Sequence, residues 1–308
     1  MIATTEADFQ YLQQFLYERS SIVLGEDKHY LLDARLPPVL QRAGAESISD
    51  LVRALRRGDS SLETAVVDAL TTNETSWFRD GAPFEALKTH VLPELVADNS
   101  LRRCLAIWSA ASSTGQELYS IAMLLDAEFP EVASWRVDLH GTDLSSEVIE
   151  RARAGRFSAL EINRGLPAAY LVRYFQREGA HYLIADSLRS RVRFEQLNLT
   201  KPWPPRQDYD LVLLRNVLIY FDEAARRRVL SAVRDHLRPN GYLVLGTAET
   251  PRGIVDGLVP VTAAGTTVFR LGEAGDASPG RRPLGNPAVA RGLAGRPGAL
   301  DNDGKGAR

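Results

Sequence analysis

The chain has 308 residues, a formal net charge of −2, 44% hydrophobic residues and one cysteine. That length accommodates two domains with full cores, and the near-neutral balance argues against a dedicated nucleic-acid binder. A lone cysteine excludes an internal disulfide and a thiolate zinc site. No apolar run approaches the ~20 residues that span a bilayer, and no signal pattern opens the chain, so a cytoplasmic protein without membrane insertion is expected.

Residues 1 to about 72 read as a small helical domain. Thr5-x-x-Asp8, Ser47-x-x-Asp50 and Ser60-x-x-Glu63 are capping signals ahead of apolar periodicity. Phe9, Leu12 and Leu16 form one stripe, Leu51 and Leu55 a second, and Val66, Val67 and Leu70 a third. Pro37-Pro38 interrupts the segment from Lys28 to Arg42, which predicts two short helices or a kinked one. Residues 73–100 read as a linker or lid carrying Asn-Glu-Thr-Ser-Trp-Phe-Arg-Asp, whose rings would exclude water from a ligand; docking of two domains by those rings is the plainer alternative.

From about residue 101 strands alternate with helices. Strands are predicted at Leu105–Ala110, Val137–Asp143, Val192–Leu197, Asp210–Leu214 and Tyr242–Leu245, with a closing hairpin at Val259–Thr262 and Thr266–Leu271. Gln116–Phe129 is a predicted helix, and Ser145 caps the next one. Cys104 sits in an apolar run and reads as a small buried hydrophobe. The alternation predicts an α/β fold: a doubly wound, Rossmann-like, mostly parallel sheet over residues 101–272. Residues 156–191 do not fit one crossover helix and read as an inserted subdomain. Residues 273–308, rich in Gly, Pro and Arg, are expected to be disordered.

Three strand ends carry chemistry. The loop Ser109–Glu117 has small residues that let backbone approach a ligand, but neither the three-glycine dinucleotide fingerprint nor a phosphate-binding Lys. Glu117 opens the following helix, where a carboxylate either receives a ligand's cation or offsets the helix dipole. Asp143 ends the second strand, in the position that accepts hydrogen bonds from ribose hydroxyls, or else caps a helix. Asn198-Leu199 is either an adenine contact or a turn. Arg215-Asn216 halts a fully apolar strand abruptly, with Tyr220 one turn beyond. A cation-seeking Glu117 and a ribose-seeking Asp143, with no phosphate site, describe S-adenosylmethionine better than a dinucleotide. The five His residues show no metal-ligand spacing, and no nucleophile elbow is present.

Several blocks together carry a resemblance: Asn-Glu-Thr-Ser-Trp-Phe-Arg-Asp at 73–80, Trp-Ser-Ala-Ala-Ser-Ser-Thr-Gly-Gln-Glu-Leu-Tyr-Ser at 108–120, Gly-Thr-Asp-Leu at 141–144, and Arg-Asn-Val-Leu-Ile-Tyr-Phe-Asp at 215–222. The Leu-x-Pro-x-Gly-Tyr-Leu-x-Leu-Gly-x-x-Glu close, Leu237 to Glu249, and the Gly25–Leu36 segment extend it. The chain resembles the CheR family of chemotaxis-receptor glutamate methyltransferases from about residue 5 to 271. The resemblance implies that Asn73, Thr75, Arg79, Ala111, Glu117, Asp143, Asn198, Leu199, Arg215 and Asn216 hold S-adenosyl-L-methionine, converted to S-adenosyl-L-homocysteine without a metal. It also implies that Arg79 and Tyr220 flank the transferred methyl, that the acceptors are glutamates on the cytoplasmic helices of a chemoreceptor, and that the insert helps dock it. A monomer is expected.

Two departures stand out. Gln116 and Leu118 replace the family's usual glutamate and proline around Glu117. In residues 1–72 seven Lys/Arg face eleven Asp/Glu, so the usual basic early helix is diluted and the acceptor protein is left open. Two other readings keep the same domain: an N-methyltransferase of nucleic acid or a small amine, and a catalytically silent nucleoside-binding regulatory module.

Overall fold

A computed structural model describes residues 4–203 and 208–272, so the expected disordered tail lies outside the described residues. The first seventy residues fold into α1 (Glu6–Ser20), α2 (His29–Arg35), α3 (Pro37–Ala43), α4 (Ile48–Leu55) and α5 (Ser60–Leu70). The proline pair splits α2 from α3 as expected, because Pro37 begins α3, where a missing N–H costs nothing. Thr5 and Ser47 cap their helices by accepting from the Asp8 and Asp50 amides. The third cap differs: Asp59, not Ser60, accepts from the Ser61 and Leu62 amides, and a carboxylate there also complements the helix dipole. The predicted stripes meet in one core that includes Phe9, Leu12, Leu16, Leu51, Val66 and Leu70.

Residues 82–98 are not a linker. They form α6 (Ala82–Ala86), a π-helical turn at Leu87–Val91 and α7 (Leu92–Asp98). Phe84, Leu87, Val91 and Leu95 are buried in the core beneath the sheet. Pro83 and Pro93 disguise this segment in the sequence; both occupy first-turn positions that tolerate them.

Ten strands follow: β1 (Cys104–Ala110), β2 (Arg136–Asp143), β3 (Arg156–Ser158), β4 (Phe175–Glu178), β5 (His181–Ile184), β6 (Val192–Gln196), β7 (Tyr209–Leu214), β8 (Leu237–Leu245), β9 (Leu258–Ala263) and β10 (Thr266–Leu271). Seven make one sheet in the order β6-β2-β1-β7-β8-β10-β9, parallel except at β10. Side chains alternate between two cores, as a sheet covered on both faces requires. Leu211 and Leu213 join the core of α6, α7 and α8 (Gln116–Glu128), whereas Val212 and Leu214 pack with Val229 and Val233 of a later helix, Glu223–Asp235. Cys104 is only half-buried, because it opens β1 at the rim of the sheet. The expected turn before Tyr242 pairs as strand, and the register jumps from Tyr209–Leu237 to Leu211–Tyr242.

Within 156–184, β3, β5 and β4 form a separate antiparallel sheet. Here the flap rings differ from expectation: Trp77 and Phe78 do not close over a ligand. Trp77, 1% exposed, packs edge-on against Phe157 and Phe175 at 4.8 and 5.4 Å, and Phe78 stacks on Tyr170 at 5.2 Å. Gly165 permits this docking, since at φ +96° a Cβ there would stand 2.3 Å from the Trp77 carbonyl oxygen. The flap is anchored to the insert.

Candidate active site

Chain order runs outward from β1 through β2 to β6, then restarts on β1's other flank with β7, so the switch point lies between the carboxyl ends of β1 and β7. Open α/β sheets bind ligands there. A cleft partly open to solvent lies at this point. Its walls are Ala111–Ser113 after β1, Asp143-Leu144 ending β2, Leu197–Leu199 after β6, and Arg215–Val217 with Tyr220 after β7. The flap adds Asn73, Thr75 and Arg79, and Glu117 projects from the start of α8. The structure thus brings every expected site residue to one cleft. Five non-glycine residues on or beside it are left-handed: Phe78, Asp80, Ala111, Ser113 and Asn216, with φ from 46° to 69°. Such strain collects at functional sites.

Ser20 and Ile22, which the sequence did not mark, also line the cleft. The end of α1 is clasped to the site: the Val23 amide donates to the Tyr220 carbonyl at 2.9 Å, and Tyr17 Oη donates to Asp222 at 2.6 Å. Nothing local in the sequence signals this, because the partners lie some two hundred residues apart. Thr71 and Thr72 form another unanticipated wall, held by Arg35, which donates to both the Thr71 carbonyl and the Thr72 hydroxyl.

Asp143 is buried and accepts from the Ser113 and Ser145 amides at 2.8 and 3.0 Å. Burial pushes its carboxyl above the usual aspartate range, against the pull of the Ser145, Ser113 and Leu144 amides, with Asp68 adding to the rise. Glu117 is not a free carboxylate awaiting a cation. Its Oε1 accepts from Ser109 Oγ at 2.8 Å and its Oε2 pairs with Arg215 at 3.0 Å. Arg215 is in turn committed through its other nitrogen to the Arg79 carbonyl (2.9 Å) and Asp80 (2.7 Å). Arg215 therefore ties β7, α8 and the flap together. Asn198 is likewise engaged, donating to the Arg19 carbonyl and accepting from Thr200, which leaves its side chain little capacity for an adenine edge. Arg79 differs: its guanidinium donates to the Glu74 carbonyl at 3.0 Å and forms no ion pair among the described residues.

Three buried polar atoms of residues lining the cleft lack a partner among the described residues: Asn216 Oδ1, Ser112 Oγ and Arg215 Nε. Asn216 Oδ1 and Ser112 Oγ join Asp143 in a wall rich in acceptors. That suits a ligand rich in donors, such as ribose hydroxyls and an ammonium, and not a pyrophosphate. The residues present fit S-adenosylmethionine.

The doubly wound sheet with an acceptor-lined switch point and a helical N-terminal module defines a Rossmann-like, S-adenosylmethionine-dependent methyltransferase. The family models for the CheR methyltransferase SAM-binding domain and all-alpha domain match residues 73–260 and 7–71. The chain belongs to the CheR methyltransferase family. It is 39% identical over 274 residues to chemotaxis protein methyltransferase 1 of Pseudomonas aeruginosa, covering 87% of this chain and 99% of the relative. Identity to chemotaxis protein methyltransferase Cher2 of Pseudomonas putida is 38%, over 83% of this chain and 94% of the relative. Among solved structures, magnesium protoporphyrin IX methyltransferase of Synechocystis is 16% identical at a TM-score of 0.34, covering 61% of this chain and 77% of that one.

Proposed function

We propose that the protein esterifies glutamate side chains on the cytoplasmic helices of a chemoreceptor-type signalling protein, as a cytoplasmic monomer serving chemosensory adaptation. The observation that carries this reading is that Arg79 forms no ion pair among the described residues, in a cleft whose other arginine, Arg215, is held between two carboxylates. The names of the relatives, chemotaxis protein methyltransferases, support the setting.

In this reading Asn73, Thr75, Ala111, Asp143, Asn198, Leu199 and Asn216 hold the nucleoside, the last two positions of the 198–199 turn acting through backbone and apolar surface. Glu117 and Arg215 offer paired opposite charges to a zwitterionic amino-acid group. When bound, S-adenosylmethionine supplies an electrophilic methyl on a positively charged sulfur. A glutamate with a pKa of about 4.3 is already ionised at neutral pH, so no residue has to remove a proton. Arg79 orients the incoming carboxylate by charge-assisted hydrogen bonds, and Tyr220 walls the path between donor and acceptor. The chain's contribution is alignment and exclusion of water. Incubation with radiolabelled methyl donor and chemoreceptors from the same cell is expected to give base-labile label released as methanol; base-stable label would overturn the ester assignment.

A pH dependence follows from Asp143. Ribose hydroxyls donate to its ionised form, so protonation turns one accepting oxygen into a donor and removes the charge, and affinity falls as pH drops through a pKa raised above the usual aspartate value. Below that pKa the S-adenosylhomocysteine dissociation constant is expected to rise about tenfold per pH unit, as titration calorimetry can follow. Asp143→Asn is expected to bind more weakly and with no such slope; a variant that keeps the slope removes Asp143 from this role.

A further inference from the structure

The Gly-x-x-Glu that follows β8 has no part in the reading above, yet its carboxylate sits directly behind the cleft. Glu249 Oε2 accepts from the Asn216 and Gly246 amides, both at 2.8 Å. Its Oε1 accepts from the Val217 and Leu218 amides at 2.9 and 2.7 Å. Three consecutive amides converge because Asn216 is left-handed, at φ 59°. Such a nest ordinarily captures an external anion. Here the anion belongs to the chain, and among the described residues it pairs with no cation.

The motif's spacing has a physical reason. The Glu249 amide donates to the Gly246 carbonyl at 2.9 Å, a turn that folds the side chain back over the strand end. A Cβ on Gly246 would stand 2.7 Å from Glu249 Oε2 and 2.9 Å from the Asn216 amide nitrogen. Glycine opens the space and glutamate fills it. The held amides belong to Asn216, whose buried Oδ1 lines the cleft without a partner, and to Leu218, which begins the turn Leu218–Tyr220.

We infer that Glu249 is a positioning residue: a built-in anion that holds the loop after β7 so that Asn216 and Tyr220 face the ligand. The inference rests on the cleft being the methyl-donor site. Glu249→Gln keeps the side chain's size but turns an NH2 group, a donor, toward two of the four N–H groups, so it cannot satisfy the nest. Hydrogen exchange of the ligand-free protein is expected to accelerate at least tenfold at the 216–218 amides of Glu249→Gln, with β1 and β2 unchanged. The S-adenosylhomocysteine dissociation constant is expected to rise about tenfold, and kcat at saturating donor to fall at least tenfold. In Glu249→Ala, added formate is expected to refill the nest and restore slow exchange and affinity, whereas formamide does not. Should a variant not fold, Glu249→Asp, which reaches fewer amides, is expected to show intermediate exchange. Wild-type exchange at 216–218 in Glu249→Gln or Glu249→Asp, or indifference of Glu249→Ala to formate, overturns the inference. The exchange measurement needs no ligand, so failure of the wild-type protein to take up S-adenosylhomocysteine condemns the donor-site reading separately.

Discussion

Arg79→Ala is expected to lower methyl transfer by about a hundred- to a thousandfold, the effect of removing one preorganised donor to a reacting oxygen. Two arginines line the cleft, and Arg215 commits both terminal nitrogens, to Glu117 and to Asp80 with the Arg79 carbonyl, while its Nε is buried. Among the described residues the Arg79 guanidinium donates only to the Glu74 carbonyl, so it retains donors for an incoming carboxylate. The alanine variant keeps the Arg79 backbone carbonyl that Arg215 needs, so the flap stays in place. Binding of S-adenosylhomocysteine should then change by only about threefold, and the loss should appear in kcat. Arg79→Lys retains the charge without the fork and should recover part of the rate. Single-turnover assays with saturating donor decide the matter: an alanine variant with wild-type turnover removes Arg79 from the chemistry.

Arg215→Met is expected to be the more damaging change to the fold. The side chain of Arg215 is 1% exposed and that of Glu117 12%. Deleting the cation leaves a desolvated carboxylate uncompensated, which costs about 3–5 kcal/mol. In a chain of this size that corresponds to a fall of roughly 10 °C in Tm. Adding Glu117→Gln should restore much of the loss, because a neutral amide needs no counter-charge; thermal melts of the two single variants and the double one measure this coupling. A single variant melting within about 2 °C of the wild type would show that the pair is stabilised by something other than charge.

Local pattern carried far in this chain. The fully apolar run ending at Arg215 predicts a central parallel strand, and β7 is buried along its whole length. Thr5, Ser47 and Ser145 cap the helices they were expected to cap, because a cap is a contact across only three residues. Where the signal was ambiguous the reading slipped. Proline in the first turn of a helix looks like a break, and so α6 and α7 were read as linker. The flap aromatics were expected over a ligand, but a ring's destination depends on which apolar surface the fold brings near, here Phe157, Phe175 and Tyr170.

The sequence by itself determined the fold class and the strand ends that carry chemistry, since periodicity, capping and the abrupt polar stop after an apolar run are local properties. The site residues expected from the sequence all gather at the switch point, though Ser20, Ile22, Thr71 and Thr72 join them unannounced. Only the tertiary structure decided how those residues divide their work. Arg215 and Glu117 neutralise one another, Arg79 forms no ion pair among the described residues, and Glu249 fills a nest of amides more than thirty residues upstream. It also decided that the end of α1 walls the cleft. Each of these is a pairing between side chains or amides distant in the chain, and whether a charge is free or taken depends on which partner the fold delivers to within hydrogen-bond reach.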